Sequence, residues 1–228
     1  MKLSVSTTRR ENWLGWIYLL LSLFVLPNIL YFLNEFLPKP LSDTKINLIY
    51  IAINFMAVIL IFQRFLTASV KVAANKPGRV LGFAALGFVL YYVLSVVIAG
   101  VILRISPDFS NVNDSTVIGL FVEHPALMAI ATVLLVPVSE ETLYRGLLFQ
   151  GFQRKSRLLA YLLSVFVFAG IHIVGYIGTV DIIPLCLCFV QYLPAGLMLA
   201  WAYEKSNTIM TPIMIHMIIN LIGTSVSR

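Results

Sequence analysis

An all-α bundle of transmembrane helices is the predicted fold class, and three observations predict it. The 228 residues are 60% hydrophobic and only 11% charged, whereas soluble chains are about half apolar and a quarter charged. Apolar runs near the ~20 residues needed to cross a bilayer core recur along the whole chain. The lysines and arginines stand in short clusters between those runs, which is the signature of membrane topology rather than of a groove for a polyanion. The net charge of +6 therefore implies no nucleic-acid partner. The implied partner is the lipid bilayer, and residues 1–228 read as one membrane domain.

Lys2, Arg9 and Arg10 precede the first run, residues 14–37. Its basic start resembles a signal peptide, but it is about twice the length of a signal h-region and no small-x-small site closes it, so it is expected to remain as the first span. Further runs cover 46–66, 80–103, 125–152, 158–176, 182–202 and 208–222. That makes about seven spans, or eight if Pro184 or Pro194 divides the sixth. With the N-terminus inside, the inner segments hold eleven Lys and Arg, Lys2 among them. The outer segments hold Lys39, Lys45, Arg104 and Arg228, with Arg145 set aside as intramembrane. The bias predicts a multi-pass protein of the cell membrane with a cytoplasmic N-terminus. Residues 106–123, with Pro107, Asp108, Asn111, Asn113 and Asp114, have the composition of an exposed outer connection. Cys186 and Cys188 are two apart in an apolar run, so on a helix they face different ways and suit neither a disulfide nor a metal clip.

Against this background the stretch around Glu140, Glu141 and Arg145 stands out, because ionisable groups in a span are costly and mark functional sites. Two of the three histidines also fall in late spans. His172 follows Phe168 by four residues and Asn220 follows His216 by four, so each pair shares a helix face. Counted from the basic flanks at about 1.5 Å per residue, Glu140, His172 and His216 lie roughly 21, 22 and 16 Å from the inner ends. Simpler readings exist. Glu141 and Arg145, spaced i, i+4, can be a structural ion pair, and Asn220 can be interhelical glue. Arg145 neutralises only one of two adjacent carboxylates, however, and a histidine on a neighbouring helix is a natural partner for the other. Pro137, three residues before Glu140, is expected to loosen the helix and release backbone carbonyls, and Pro194 to do the same for the sixth span.

In order and helical placement, Glu140-Glu141-x-x-x-Arg145, Phe168-x-x-x-His172 and His216-x-x-x-Asn220 resemble the three motifs of the CAAX-protease-and-bacteriocin-processing (CPBP or Abi) family of intramembrane endopeptidases. The resemblance covers residues 138–222, within a motif core of 125–222. The first three spans match only as membrane helices.

The resemblance implies hydrolysis of a membrane-embedded or lipidated peptide, with a role in bacteriocin maturation or self-immunity in a bacterial plasma membrane. It implies Glu140 as general base, His172 helping to hold the water, and His216 and Asn220 as donors to the oxyanion. Arg145 would fix Glu141, and Phe168 would form the site wall. A zinc ion on Glu140, His172 and His216 is the alternative to a metal-free site, and the metal-free version is favoured because the spacing is unlike H-E-x-x-H. Two rival functions use the same residues: a non-catalytic immunity protein that binds a peptide toxin, and a proton-coupled transporter. A transporter would be expected to show paired halves, and the first three spans carry no echo of the fourth.

Overall fold

A computed structural model describes residues 3–226; Lys2 and Arg228, counted above for orientation, lie outside them. The described chain forms ten helices. They are α1 (Arg9–Phe24), α2 (Leu26–Glu35), α3 (Asp43–Ile61), α4 (Gln63–Asn75), α5 (Pro77–Ile105), α6 (Val112–Gly119), α7 (Pro125–Gln153), α8 (Arg157–Ile171), α9 (Ile182–Ser206) and α10 (Met210–Val226). Among the described residues no strand forms beyond one isolated bridge between Ile177 and Val180. The molecule is an all-α helical bundle.

Helices α3, α5, α7 and α9 are long and apolar enough to cross a membrane. A fifth span arises if α1 and α2, bent by 47°, are taken as one. Pro27 in the first turn of α2 accounts for that bend, since its missing N–H cannot continue the ladder from α1. The fifth and seventh apolar runs appear as the shorter helices α8 and α10, so a count of seven requires both of these to cross. Proline does not divide the sixth run: α9 continues unbroken through Pro194. The second run closes earlier than its hydropathy suggests. The chain breaks at Phe62 and continues as α4, where Phe65 and Ser69 are buried while Arg64 and Lys71 line a cavity on its other side.

The termini of the helices follow from local chemistry. Thr8 and Glu11 form a reciprocal capping box at α1, and Glu11 also accepts from the backbone N–H of Phe65 at 2.8 Å, tying α1 to α4. Asn207 adopts the left-handed conformation, φ 65°, and turns the chain sharply from α9 into α10. The core gathers between the second half of α7, α4, α9 and α10 around Phe65, Leu147, Phe149, Leu199, Tyr203 and Ile215. Close approach there depends on small residues. A Cβ on Gly146 would stand 2.7 Å from Phe65, and one on Gly196 would meet the Val165 backbone at 3.1 Å. The outward faces stay apolar, as along α5 at Val89, Tyr92, Val93, Val96 and Val97, which suits lipid as the surrounding solvent.

Candidate functional site

The site is organised by irregularities in α7. Two stretches, Ala131–Leu135 and Thr142–Phe149, are wound as π-helix, a conformation that often accompanies function. Pro137 explains a consequence of the first. Within it the N–H of Val136 bonds the carbonyl of Ala131, five residues back. The next donor in that register, for the Thr132 carbonyl, would be residue 137, which is proline and has none. Asn220 on α10 supplies the missing donor, its Nδ2 lying 2.8 Å from the Thr132 oxygen. The carbonyl release expected at Pro137 therefore occurs, and the helix stays continuous because a neighbour takes the freed group.

Between the two π-stretches stand the carboxylates. Glu141 and Arg145 are both wholly buried, and Glu141 Oε1 accepts from Arg145 Nη1 at 2.9 Å and from His216 Nδ1 at 2.8 Å. Arg145 also donates to the carbonyl of Gly196 at 3.2 Å and lies over the Phe168 ring at 4.4 Å. Three helices thus converge on one guanidinium, whose rigid fork suits carboxylate, carbonyl and ring face together. The histidine of the neighbouring helix consequently joins the same carboxylate as the arginine. Glu140 keeps a buried oxygen, Oε2, with no hydrogen-bond partner among the described residues, and lies within electrostatic reach of Tyr50, Tyr144 and His172.

His172 caps α8, which ends at Ile171, five residues before its apolar run does. Its own ring explains this: Nδ1 lies 2.7 Å from the Phe168 carbonyl, the acceptor its backbone N–H would use in a continuing helix, and that N–H turns instead to Gly170. A carbonyl can only accept, so in the neutral ring the hydrogen is on Nδ1 and Nε2 is left as an acceptor. Glu141, when ionised, places the hydrogen of His216 on Nδ1 in the same way. The two imidazoles are joined through Phe168, whose ring centroid is 4.8 Å from that of His172 and 5.9 Å from that of His216.

Glu141, Arg145, Phe168, His172 and His216 are therefore brought into one cluster, and Asn220 is docked on the same helix as the carboxylates. The zinc set fits less well. Among the described residues no group of three His, Cys, Asp or Glu side chains could hold a metal ion.

Sequence reasoning missed Tyr192, which stacks on His172 with centroids 4.2 Å apart and planes inclined by 27°. Its hydroxyl donates to Asp114 at 2.6 Å and accepts from Asn113 at 2.9 Å. Asn111, buried at the start of α6, bonds Gln191 at 3.0 Å. Pro107, Asp108 and Asp114 are exposed, as their composition predicts, while Asn111 and Asn113 tie this connection to α9. The available signal for that tie was the adjacent polar pair Gln191 and Tyr192 inside an apolar span.

Residues 122–222 match the family model described as type II CAAX prenyl endopeptidase Rce1-like. A curated relative, the UPF0177 protein YbdJ of Lactococcus lactis subsp. lactis (strain IL1403), is 36% identical over 88 residues, 39% of this chain. The match spans about a third of that relative's length, 34%. No solved structure matches. Residues 122–222, which carry the carboxylate pair, both histidines and Asn220, are thus similar to the Rce1-like type II CAAX prenyl endopeptidases, in a chain whose apolar helices are those of a multi-pass membrane protein.

Proposed function

We propose that the chain is an intramembrane endopeptidase of membrane-associated or lipidated peptides, working through water activated by Glu140. The observation that carries this reading is the division of labour between adjacent carboxylates. Glu141 is held through Oε1 by Arg145 and His216, its Oε2 staying unpartnered, whereas Glu140 has no hydrogen bond or ion pair on either oxygen among the described residues and lies within electrostatic reach of His172. The family's type II CAAX prenyl endopeptidases supply the reaction class.

In this reading Glu140 takes a proton from water, which His172 Nε2 holds by accepting its second hydrogen. The hydroxide adds to the scissile carbonyl, and the developing oxyanion faces His216 and Asn220. Asn220 donates one amide hydrogen to Thr132 and retains the other. His216 can donate from Nε2 only as an imidazolium, with Glu141 as its counter-ion through Nδ1. Glu140 then returns its proton to the leaving amine, and the tetrahedral intermediate collapses to acid and amine. Arg145 and Phe168 are positioning groups. The residues present give no support to a step through zinc.

In this reading, which the positive-inside bias supports, the N-terminus lies in the cytoplasm of a bacterial cell and the role is maturation of a peptide or self-immunity. The test is cleavage of a panel of lipidated and unlipidated membrane peptides by purified protein, wild type beside Glu140→Gln. Glu140→Gln is expected to reduce cleavage by about 10²- to 10⁴-fold. Full cleavage by the variant would reject Glu140 as base, and a folded wild type that cleaves nothing while retaining a peptide would favour the immunity reading.

A further inference from the structure

A second site lies at the opposite end of α7 from its first turn. A cavity of about 540 Å³ opens between the start of α1 and the end of α7, lined by Arg9, Asn12, Trp13, Trp16, Arg154 and Lys155 among others. Three cations surround it, and none has an ion pair or side-chain hydrogen bond among the described residues. The carboxylates at this end are already committed. Glu11 accepts from the backbone N–H groups of Thr8 and Phe65, and Glu204 is held by Arg157, Tyr161 and Gln153. Like charges lining one cavity repel, so the walls lack an anion that the protein does not provide.

The apolar surroundings narrow the choice of anion. Trp13 is 65% exposed beside the cavity, and Trp16 packs edge-on to Phe152. Tryptophan of this kind marks the headgroup level of a bilayer. From Trp13 an exposed apolar stripe runs along α1 through Ile17, Leu20, Leu21 and Phe24, the i, i+4, i+7, i+8, i+11 positions of one helix face. A free anion would use the cations and leave the stripe idle. A phospholipid would use both.

We propose that this cavity binds the phosphate of an anionic phospholipid, with Arg9, Arg154 and Lys155 around the phosphate and the acyl chains lying along the α1 stripe. The site is independent of the reaction above. It would make the protein's stability depend on the anionic content of the leaflet it faces.

The full chain, purified in neutral detergent, is offered phosphatidylglycerol, phosphatidylcholine or soluble glycerol phosphate. Lipid retention is read by native mass spectrometry and stabilisation by thermal unfolding. Phosphatidylglycerol is expected to be retained and to raise the unfolding temperature, while the other two do neither. Arg154→Gln with Lys155→Gln should weaken retention about thirtyfold. Arg64→Gln with Lys71→Gln, which removes the same charge from α4, should leave it unchanged. Equal retention of the two lipids, equal loss in both double variants, or stabilisation by glycerol phosphate matching that by phosphatidylglycerol would each overturn the assignment.

Discussion

Asn220 donates from α10 to the Thr132 carbonyl of α7, the backbone acceptor that Pro137 leaves without a donor. This pairing gives Asn220 a structural duty beside any it has in catalysis. Replacing Asn220 by Ala orphans a carbonyl in the membrane and should cost about 1–3 kcal/mol. In a Pro137→Ala background residue 137 regains its N–H, so the same replacement should cost clearly less. Unfolding of the two single variants and the double variant in detergent measures the coupling. Additive losses would show that proline and asparagine act separately.

Arg145 neutralises Glu141 in a wholly buried pair. Truncating it to Ala leaves a buried carboxylate facing only His216, and a loss of about 3–5 kcal/mol is expected. Lysine keeps the charge but cannot reach the carboxylate, the Gly196 carbonyl and the Phe168 face with one planar group. Arg145→Lys should therefore recover only part of the stability, as thermal unfolding of the purified variants will show.

Tyr192 separates ring contact from hydrogen bonding. Tyr192→Phe keeps the stack on His172 and breaks the link to Asp114 and Asn113; Tyr192→Ala removes both. If the ring orients His172, cleavage should fall modestly in the first and by an order of magnitude or more in the second, with the fall in kcat rather than KM. Equal rates in the two variants would remove Tyr192 from the mechanism.

Gly146 faces Phe65 so closely that an added methyl would stand 2.7 Å from its ring. Gly146→Ala should destabilise by about 1–3 kcal/mol through overpacking. Combining it with Phe65→Leu should relieve part of that loss, which denaturant titration can resolve.

Glu123 lies in the connection between α6 and α7 and is paired with Lys45 at 2.8 Å and with the Ser42 hydroxyl. The Lys45 ammonium, and then Ser42, hold its carboxyl below the ordinary value of 4.5. Its contribution to stability is thus complete above that value and is lost as pH falls through the lower folded pKa. Thermal unfolding followed from pH about 6 to about 3 should fall less steeply in Glu123→Gln than in wild type. The difference will be small because the pair is open to solvent.

The sequence was most legible where composition and period suffice. Runs of apolar residues located the long helices, and polar intruders picked out Glu141, Arg145, His172 and His216, which do meet. What it hid depends on phase and on partners distant along the chain. The i, i+4 spacing of Glu141 and Arg145 revealed their pairing, but nothing local could say that His216 would share Glu141 rather than take Glu140. Hydropathy extended the fifth run to residue 176, whereas the helix ends at Ile171 because the His172 ring takes a backbone carbonyl. Asp114 and Tyr192 are 78 residues apart, so composition could place Asp114 at the surface, where it lies, but could not name its partner.

The first π-stretch of α7 is in effect a one-residue insertion absorbed by a helix, and it sets two azimuths. Before and within it, Leu127, Ile130 and Leu134 point outward, while after it the residues from Glu141 to Gln150 are all buried. Removing one residue from 131–135 would restore the ordinary pitch and turn everything upstream by about 100° relative to the carboxylates. The outward ridge would swing toward the bundle, and the carbonyl that Asn220 meets would move with it. Length in this stretch is therefore as much a determinant of the site as residue identity, and single-residue insertions or deletions here should be tolerated far less than in the exposed turn of residues 177–181.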